Sequence, residues 1–265
     1  MRSLLAFLLC LISSVLQAET IVTVGDSLVQ TYPSNYPIWG WGQTLPALLP
    51  QFTWLNLAVS GESSKSFIDE GLWANVLALH PNRILIEFGH NDSHLTDPAH
   101  YTDPSTTFSA NFARFADDAR AAGALPIFVT PVARRGGPAN DDTLPLYSAA
   151  MISVARQKDV QVVDLHAATL ALYDSLGTSA QTIVGPSGGF AQDVTHLGHN
   201  GAQLVAGIIA PRIAVSEPST AVLLVFAVLC LFLLEYHARR FHFAYLPRFG
   251  FIRLRLLGGA PSRAA

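Results

Sequence analysis

The chain has 265 residues, half of them hydrophobic, and a net charge of −3. Residues 19–216 hold nine Lys and Arg against seventeen Asp and Glu, while both ends are apolar and carry the remaining arginines. Such an acidic body offers no basic footprint for nucleic acid. Cys10 and Cys230 both lie in the apolar ends, so disulfides and thiol catalysis are excluded from the body.

Arg2, an unbroken apolar run and a small-residue ending at Ala18 have the layout of a secretory signal peptide over residues 1–18. Cys10 lacks the small preceding residue of a lipid-modified cysteine and reads as part of the leader. Residues 19–215 then form one body of single-domain size, without repeats or a low-complexity linker. Five short runs read as buried strands: TIVTVG from Thr20, WLNLAV from Trp54, RILIEFG from Arg83, LPIFVTPV from Leu125 and VQVVDL from Val160. Helical segments separate them. In TFSANFARFADDARAAG, Phe108, Phe112, Phe115 and Ala119 fall on one helical face, and Gly123 supplies the stop. TLPLYSAAMISVARQKD and THLGHNGAQLVAGIIAPRI are the other two long helical candidates. Alternation of this kind predicts an α/β fold, a three-layer α/β/α sandwich around a mostly parallel sheet.

Beyond the body, fourteen apolar residues run from Ala221 to Leu234 without a charge. This is short of the roughly 20 residues of a membrane span, which leaves a buried core helix as the alternative. The run is nevertheless apolar on every face, preceded by Glu217-Pro218 and followed by Arg239-Arg240. Arg248, Arg253, Arg255 and Arg263 follow with no acid after Glu235, so a transmembrane helix here would leave the 241–265 tail cytoplasmic and the body outside.

Ligands of parallel sheets gather beyond the carboxyl ends of the strands. Gly25-Asp26-Ser27, Gly61 and Gly89-His90-Asn91-Asp92 each follow a strand run and are expected to meet there. Gly, Asp and Ser are also ordinary turn residues, so Ser27 needs a base before it reads as a nucleophile. Asp193 and His196 stand three apart, close enough on a tight turn for the carboxylate to hold one ring nitrogen and leave the other for a serine proton. His199 is a rival base. A zinc-like grouping of Asp193, His196 and His199 is a further reading, but it leaves Ser27, Gly61 and Asn91 without a role, and no His-x-x-x-His pair with a flanking Glu occurs.

The ordered blocks Gly25-Asp26-Ser27, Gly61, Asn91 and Asp193-x-x-His196 resemble the motif blocks of the SGNH, or GDSL, hydrolases. GWGQ at 40–43, NLAVSGESSKSFIDEG at 56–71, FGHND at 88–92, TPVARR at 130–135 and DVTHLGHNGA at 193–202 resemble the rhamnogalacturonan acetylesterase-like carbohydrate esterases, and DLHA at 164–167 adds to them. The resemblance implies a flavodoxin-like sheet, Ser27 as nucleophile, His196 as general base and Asp193 as its orienting acid. It implies an oxyanion hole made of the Ser27 and Gly61 backbone N–H groups and the Asn91 amide, and no cofactor or metal. The implied partner is an acetylated polysaccharide.

Around this centre Asp26 reads as a turn residue, and Asp92 as a holder of the Asn91 loop. His90 is either a wall of the acyl pocket or a structural histidine. Trp39, Trp41 and Trp73 are candidates for sugar stacking or core packing, with Trp41, Trp73 and His90 taken as the substrate-binding set. Arg134 and Arg135 would meet a uronate or form a solvated surface pair. Rival functions are a lipase, thioesterase or aryl esterase on the same triad, and a surface carbohydrate-binding protein with a disabled hydrolase fold.

Residues 216–240, with SEPST, the apolar run and Arg-Arg, resemble a PEP-CTERM sorting signal. Ser216 stands where that signal has a proline, and twenty-five residues follow the Arg pair. The resemblance implies a Gram-negative exported protein, periplasmic or at the cell surface, at least transiently anchored in the membrane. It also implies an exosortase-type processing partner.

Overall fold

The computed structural model describes residues 18–137, 140, 143–214, 228 and 230–234. The chain divides into two units, and the larger, Gln17–Ser216, carries the sheet. Five parallel strands, β1 (Thr20–Val24), β2 (Thr53–Asn56), β3 (Arg83–Ile86), β4 (Leu125–Val129) and β5 (Gln161–Val163), lie in the order β2-β1-β3-β4-β5. All five fall within or across the runs expected to be strands. This is the flavodoxin-like order, whose direction reverses between β1 and β3, so the loops after those two strands diverge and leave a crevice.

Strand alternation sorts the core onto two faces. Ile21 of β1, Leu85 of β3 and Ile127 and Val129 of β4 face one way. There they pack with α1 (Leu45–Leu48), α6 (Leu165–Leu176), α7 (Ala180–Val184) and α8 (His199–Ile213). Val22 and Val24, Ile84 and Ile86, and Phe128 face the other way. They meet α2 (Ser64–Asp69), α3 (Leu72–Leu77), α4 (Ser109–Ala121) and α5 (Leu144–Lys158). The result is the three-layer sandwich. Phe108, Phe112, Phe115 and Ala119 are fully buried on the face the spacing placed them on, and Gly123 follows α4 with φ +84°.

Caps place the loops that matter for the site. Ser63 opens α2 by accepting from Ser66 N at 3.1 Å while Ser66 Oγ accepts from Ser63 N at 2.9 Å, which fixes the chain just past Gly61. The Asp164 side chain caps α6 through Ala167 N. Gly198 precedes the first turn of α8, so His196 stands near the end of the loop leading into that helix.

The expected leader lies outside the described residues except for Ala18, as do the 241–265 tail and most of the 216–240 signal. Of the Ala221–Leu234 run, residues 228 and 230–234 are described and helical. Among the described residues no helix is long and apolar enough to cross a membrane.

Candidate active site

Gly25 ends β1 where the chain turns hard against its neighbours. A Cβ there would stand 2.5 Å from Val29 Cγ2 and 2.6 Å from the Glu87 carbonyl, so only glycine lets the turn sit on β3. Asp26 accepts from Leu28 N at 2.9 Å and closes the turn, leaving Ser27 at the carboxyl edge of the sheet. Across 169 residues of sequence, the Ser27 hydroxyl lies 2.9 Å from His196 Nε2. His196 Nδ1 lies 2.6 Å from Asp193 Oδ2. A carboxylate only accepts, so Nδ1 donates to it and Nε2 is left to accept from Ser27.

The other Asp193 oxygen accepts from the backbone N–H groups of Thr195 at 2.8 Å and His196 at 2.9 Å. Partial burial alone would raise this carboxyl. The hydrogen bonds from the His196 backbone and ring, the His196 charge and the Thr195 N–H outweigh it and hold Asp193 below the usual carboxylate range. His199, the rival base, points elsewhere: its ring packs edge-on against Trp39 with centroids 4.4 Å apart, and its Nε2 lies 3.3 Å from Gln203 Nε2.

The 191–196 turn is clamped by Arg135, for which the sequence alone suggests a uronate contact or a solvated surface pair. It is neither. Arg135 is buried, and its Nη2 donates to the carbonyls of Asp193 and His196, both at 2.6 Å. Its Nε donates to Gln181 Oε1 at 2.9 Å, and Gln181 Nε2 donates to Ala191 O and Asp193 O. These bonds satisfy carbonyls of the loop from Arg135 and from Gln181 on α7, and so hold His196 in place. Neither Arg135 nor Gln181 has a sequence signature for this, because the partners are backbone atoms remote in the chain.

Gly61 adopts φ +91°, a conformation L side chains rarely adopt. A Cβ on it would meet no protein atom within 4 Å, so backbone conformation, rather than crowding by the protein, demands glycine. Among the described residues, neither the Ser27 nor the Gly61 N–H donates a hydrogen bond. Asn91, on the loop after β3, donates one amide hydrogen to Glu62 O at 2.8 Å, which ties it to the Gly61 loop and leaves its second hydrogen available. Asp92 is buried and anchors that loop, accepting from Ser64 N at 3.0 Å and Thr102 Oγ1 at 2.8 Å. Burial outweighs these bonds and pushes its carboxyl up to about 6.

The three residues expected to bind substrate, Trp41, Trp73 and His90, are buried. Trp41 is 0 % exposed and donates its indole N–H to Glu87 Oε2 at 2.9 Å. Trp73 is 2 % exposed, packs on Phe115 and donates to Asp118. Each indole found an acid about 45 positions away, so core packing carries no polar penalty. His90 is likewise buried, with Nε2 2.9 Å from Val132 O. Its Nδ1 faces Asp26 Oδ2 at 3.6 Å and Glu87 Oε1 at 3.9 Å. Burial first, and then the Asp26 charge, push the Glu87 carboxyl well up. One ligand atom from each of Asp26, Glu87 and His90 lies within 4.8 Å of the others, a spacing suited to a cation that residues 26, 87 and 90 do not announce in the sequence.

A hydroxyl, an imidazole and a carboxylate in line, at the carboxyl edge of a parallel sheet and beside unpaired N–H groups, can carry out acyl transfer. The chain is a carboxylic ester hydrolase of the SGNH type. It belongs to the GDSL-like Lipase/Acylhydrolase family, which residues 23–204 match. It is 36% identical over 204 residues to "Probable rhamnogalacturonan acetylesterase YesY" of Bacillus subtilis (strain 168), covering 74% of this chain and 93% of that one. Rhamnogalacturonan acetylesterase RhgT of the same organism is 36% identical over 212 residues, covering 73% and 88%. Among solved structures, the protein YXIM of Bacillus subtilis superposes with a TM-score of 0.63 at 22% identity, over 75% of this chain and 56% of that one. Axe2, an acetylxylan esterase from Geobacillus stearothermophilus solved as a catalytic mutant, superposes with a TM-score of 0.60 at 17% identity, over 76% and 96%. At such identities the two structures speak for the fold alone.

Proposed function

We propose that the protein removes O-acetyl groups from a polysaccharide, with Ser27, His196 and Asp193 as its catalytic residues. The observation that carries this reading is the line of two hydrogen bonds from Asp193 through His196 to Ser27. The acetylesterase relatives supply the substrate class.

Ser27 Oγ attacks the acetyl carbonyl carbon as its proton passes to His196 Nε2. The carbonyl oxygen becomes an oxyanion, received by the Ser27 and Gly61 N–H groups and the Asn91 amide. One such donor is typically worth about 3–4 kcal/mol of barrier. The C–O bond to the sugar then breaks, and the departing sugar oxygen takes the proton from Nε2. Water attacks the acetyl-serine and gives a proton to Nε2, which returns it to Oγ as acetate leaves. Asp193 stays ionised throughout and stabilises the imidazolium. Replacing Ser27 by Ala is expected to abolish acetate release and p-nitrophenyl acetate hydrolysis with the melting temperature unchanged. Substantial residual turnover would sink the assignment.

We infer further that residues 1–18 export the chain and that the 216–240 segment attaches it to the membrane, with the 241–265 tail inside. The leader layout and the arginine asymmetry support this. The same segment is the substrate offered to an exosortase-type enzyme. Fractionation of cells making the full chain is expected to place esterase activity in the membrane or outside it; activity confined to the cytosol contradicts export.

A further inference from the structure

An open cavity of about 610 Å³ lies between the loop at 34–39 and the segment 182–200. This is within the roughly 300–1,000 Å³ of small-molecule sites. Its walls include Tyr36, Trp39, Asn35, Thr182, His199 and Asn200, and among the described residues no Asp, Glu, Lys or Arg lines it. Both walls are tied to the catalytic residues. On one side the Tyr32 hydroxyl donates to Ser27 O at 3.1 Å, and the Tyr32 ring stacks on Tyr36 with centroids 5.5 Å apart and planes 11° from parallel. On the other, Trp39 N donates to Leu197 O at 2.9 Å, next in the chain to His196. Tyr36 also meets Phe190, 6.0 Å away.

Tyr36 and Phe190 are 40 % and 37 % exposed, whereas Trp41 and Trp73 are sealed in the core. Exposed aromatic rings beside neutral amides and hydroxyls, without a formal charge, match a particular ligand. A neutral pyranose has apolar C–H faces for the rings and hydroxyls for the amides. Among the described residues of these walls a uronate would find no cation to pair with. We propose that this cavity is a subsite for a neutral sugar residue of the polymer, adjoining the sugar whose acetyl group is at Ser27, with Tyr36 in its wall and Phe190, which meets Tyr36 beyond the lining, as its stacking platform. The inference rests on the reading of Ser27 as the nucleophile of a polysaccharide deacetylase, and it assigns the polymer's approach to the 34–39 side.

Calorimetric titration of the full chain carrying Ser27→Ala tests it, with xylotetraose as neutral probe and tetragalacturonate as acidic one. The same titration is repeated with Tyr36→Leu and Phe190→Leu added. Leucine keeps bulk but removes the aromatic face, and the melting temperature checks folding. Xylotetraose is expected to bind, with affinity reduced roughly tenfold when both rings are lost. Binding of the acidic probe alone, equal binding by both proteins, or no binding of either probe overturns the subsite. If xylotetraose binds as expected while the protein with Ser27 intact releases no acetate from any polysaccharide, the subsite stands and the deacetylase reading falls.

Discussion

The turn at 191–196 and the loop at 89–92 each place an aspartate beside a proposed catalytic residue, yet the two carboxyls behave in opposite ways. Asp193 is partly exposed, next to an imidazole, and held below the usual range. Asp92 is wholly buried among hydroxyl and backbone donors, with no cation beside it among the described residues, and is pushed up to about 6. Both accept several hydrogen bonds, so their number does not decide the outcome. A partner able to carry positive charge does, together with access to water. Asp193 is thereby suited to stabilising a charge that comes and goes on His196, and Asp92 to fixing a loop.

Substitution by asparagine separates the two roles. Asp193→Asn keeps the shape but lets the side-chain amide donate to Nδ1, which favours the wrong tautomer of His196. Turnover of p-nitrophenyl acetate is expected to fall by about 10⁴-fold with little loss of folding. A fall below tenfold would remove Asp193 from the mechanism. Asp92→Asn acts on stability instead. Because the folded-state pKa of Asp92 lies above its unfolded value, the native protein holds the extra proton, and Asp92 costs stability as pH rises from about 4 through 6. That cost amounts to about 3 kcal/mol. Urea unfolding at pH 3.5 and 7 is expected to show the variant gaining on the unsubstituted protein by that order as pH rises; a gap independent of pH contradicts it. Asp193 has the reverse sign, stabilising the fold above its unfolded pKa and losing that contribution as pH falls through its lower folded value.

Much of this was legible in the sequence because it is local. Strands β1, β3 and β4 are apolar runs bounded by glycine, proline or polar residues, and the buried face of α4 follows from the spacing of its phenylalanines. Ser27, Asn91, Asp193 and His196 stand in short motifs at strand ends or before a helix, where topology brings them together. What could not be read depends on distant partners. For Trp41 and Trp73 the sequence leaves sugar stacking open beside core packing, because nothing nearby shows that Glu87 and Asp118 satisfy their indoles. Arg135 looked like a surface residue beside Arg134, whereas its ligands are carbonyls 58 and 61 residues on. The Tyr36–Phe190 ring contact joins residues 154 positions apart. Its one local signal is the stretch TYPSNYPIW from Thr31, where two prolines hold tyrosines in a polar loop.

The most direct test of the central claim is acetate release from acetylated rhamnogalacturonan and acetylated xylan by the full chain, beside its Ser27→Ala variant. The account predicts release from at least one polymer by the unsubstituted chain and none by the variant. Equal release by both proteins, or none from either polymer by a folded chain that still hydrolyses p-nitrophenyl acetate, would contradict it.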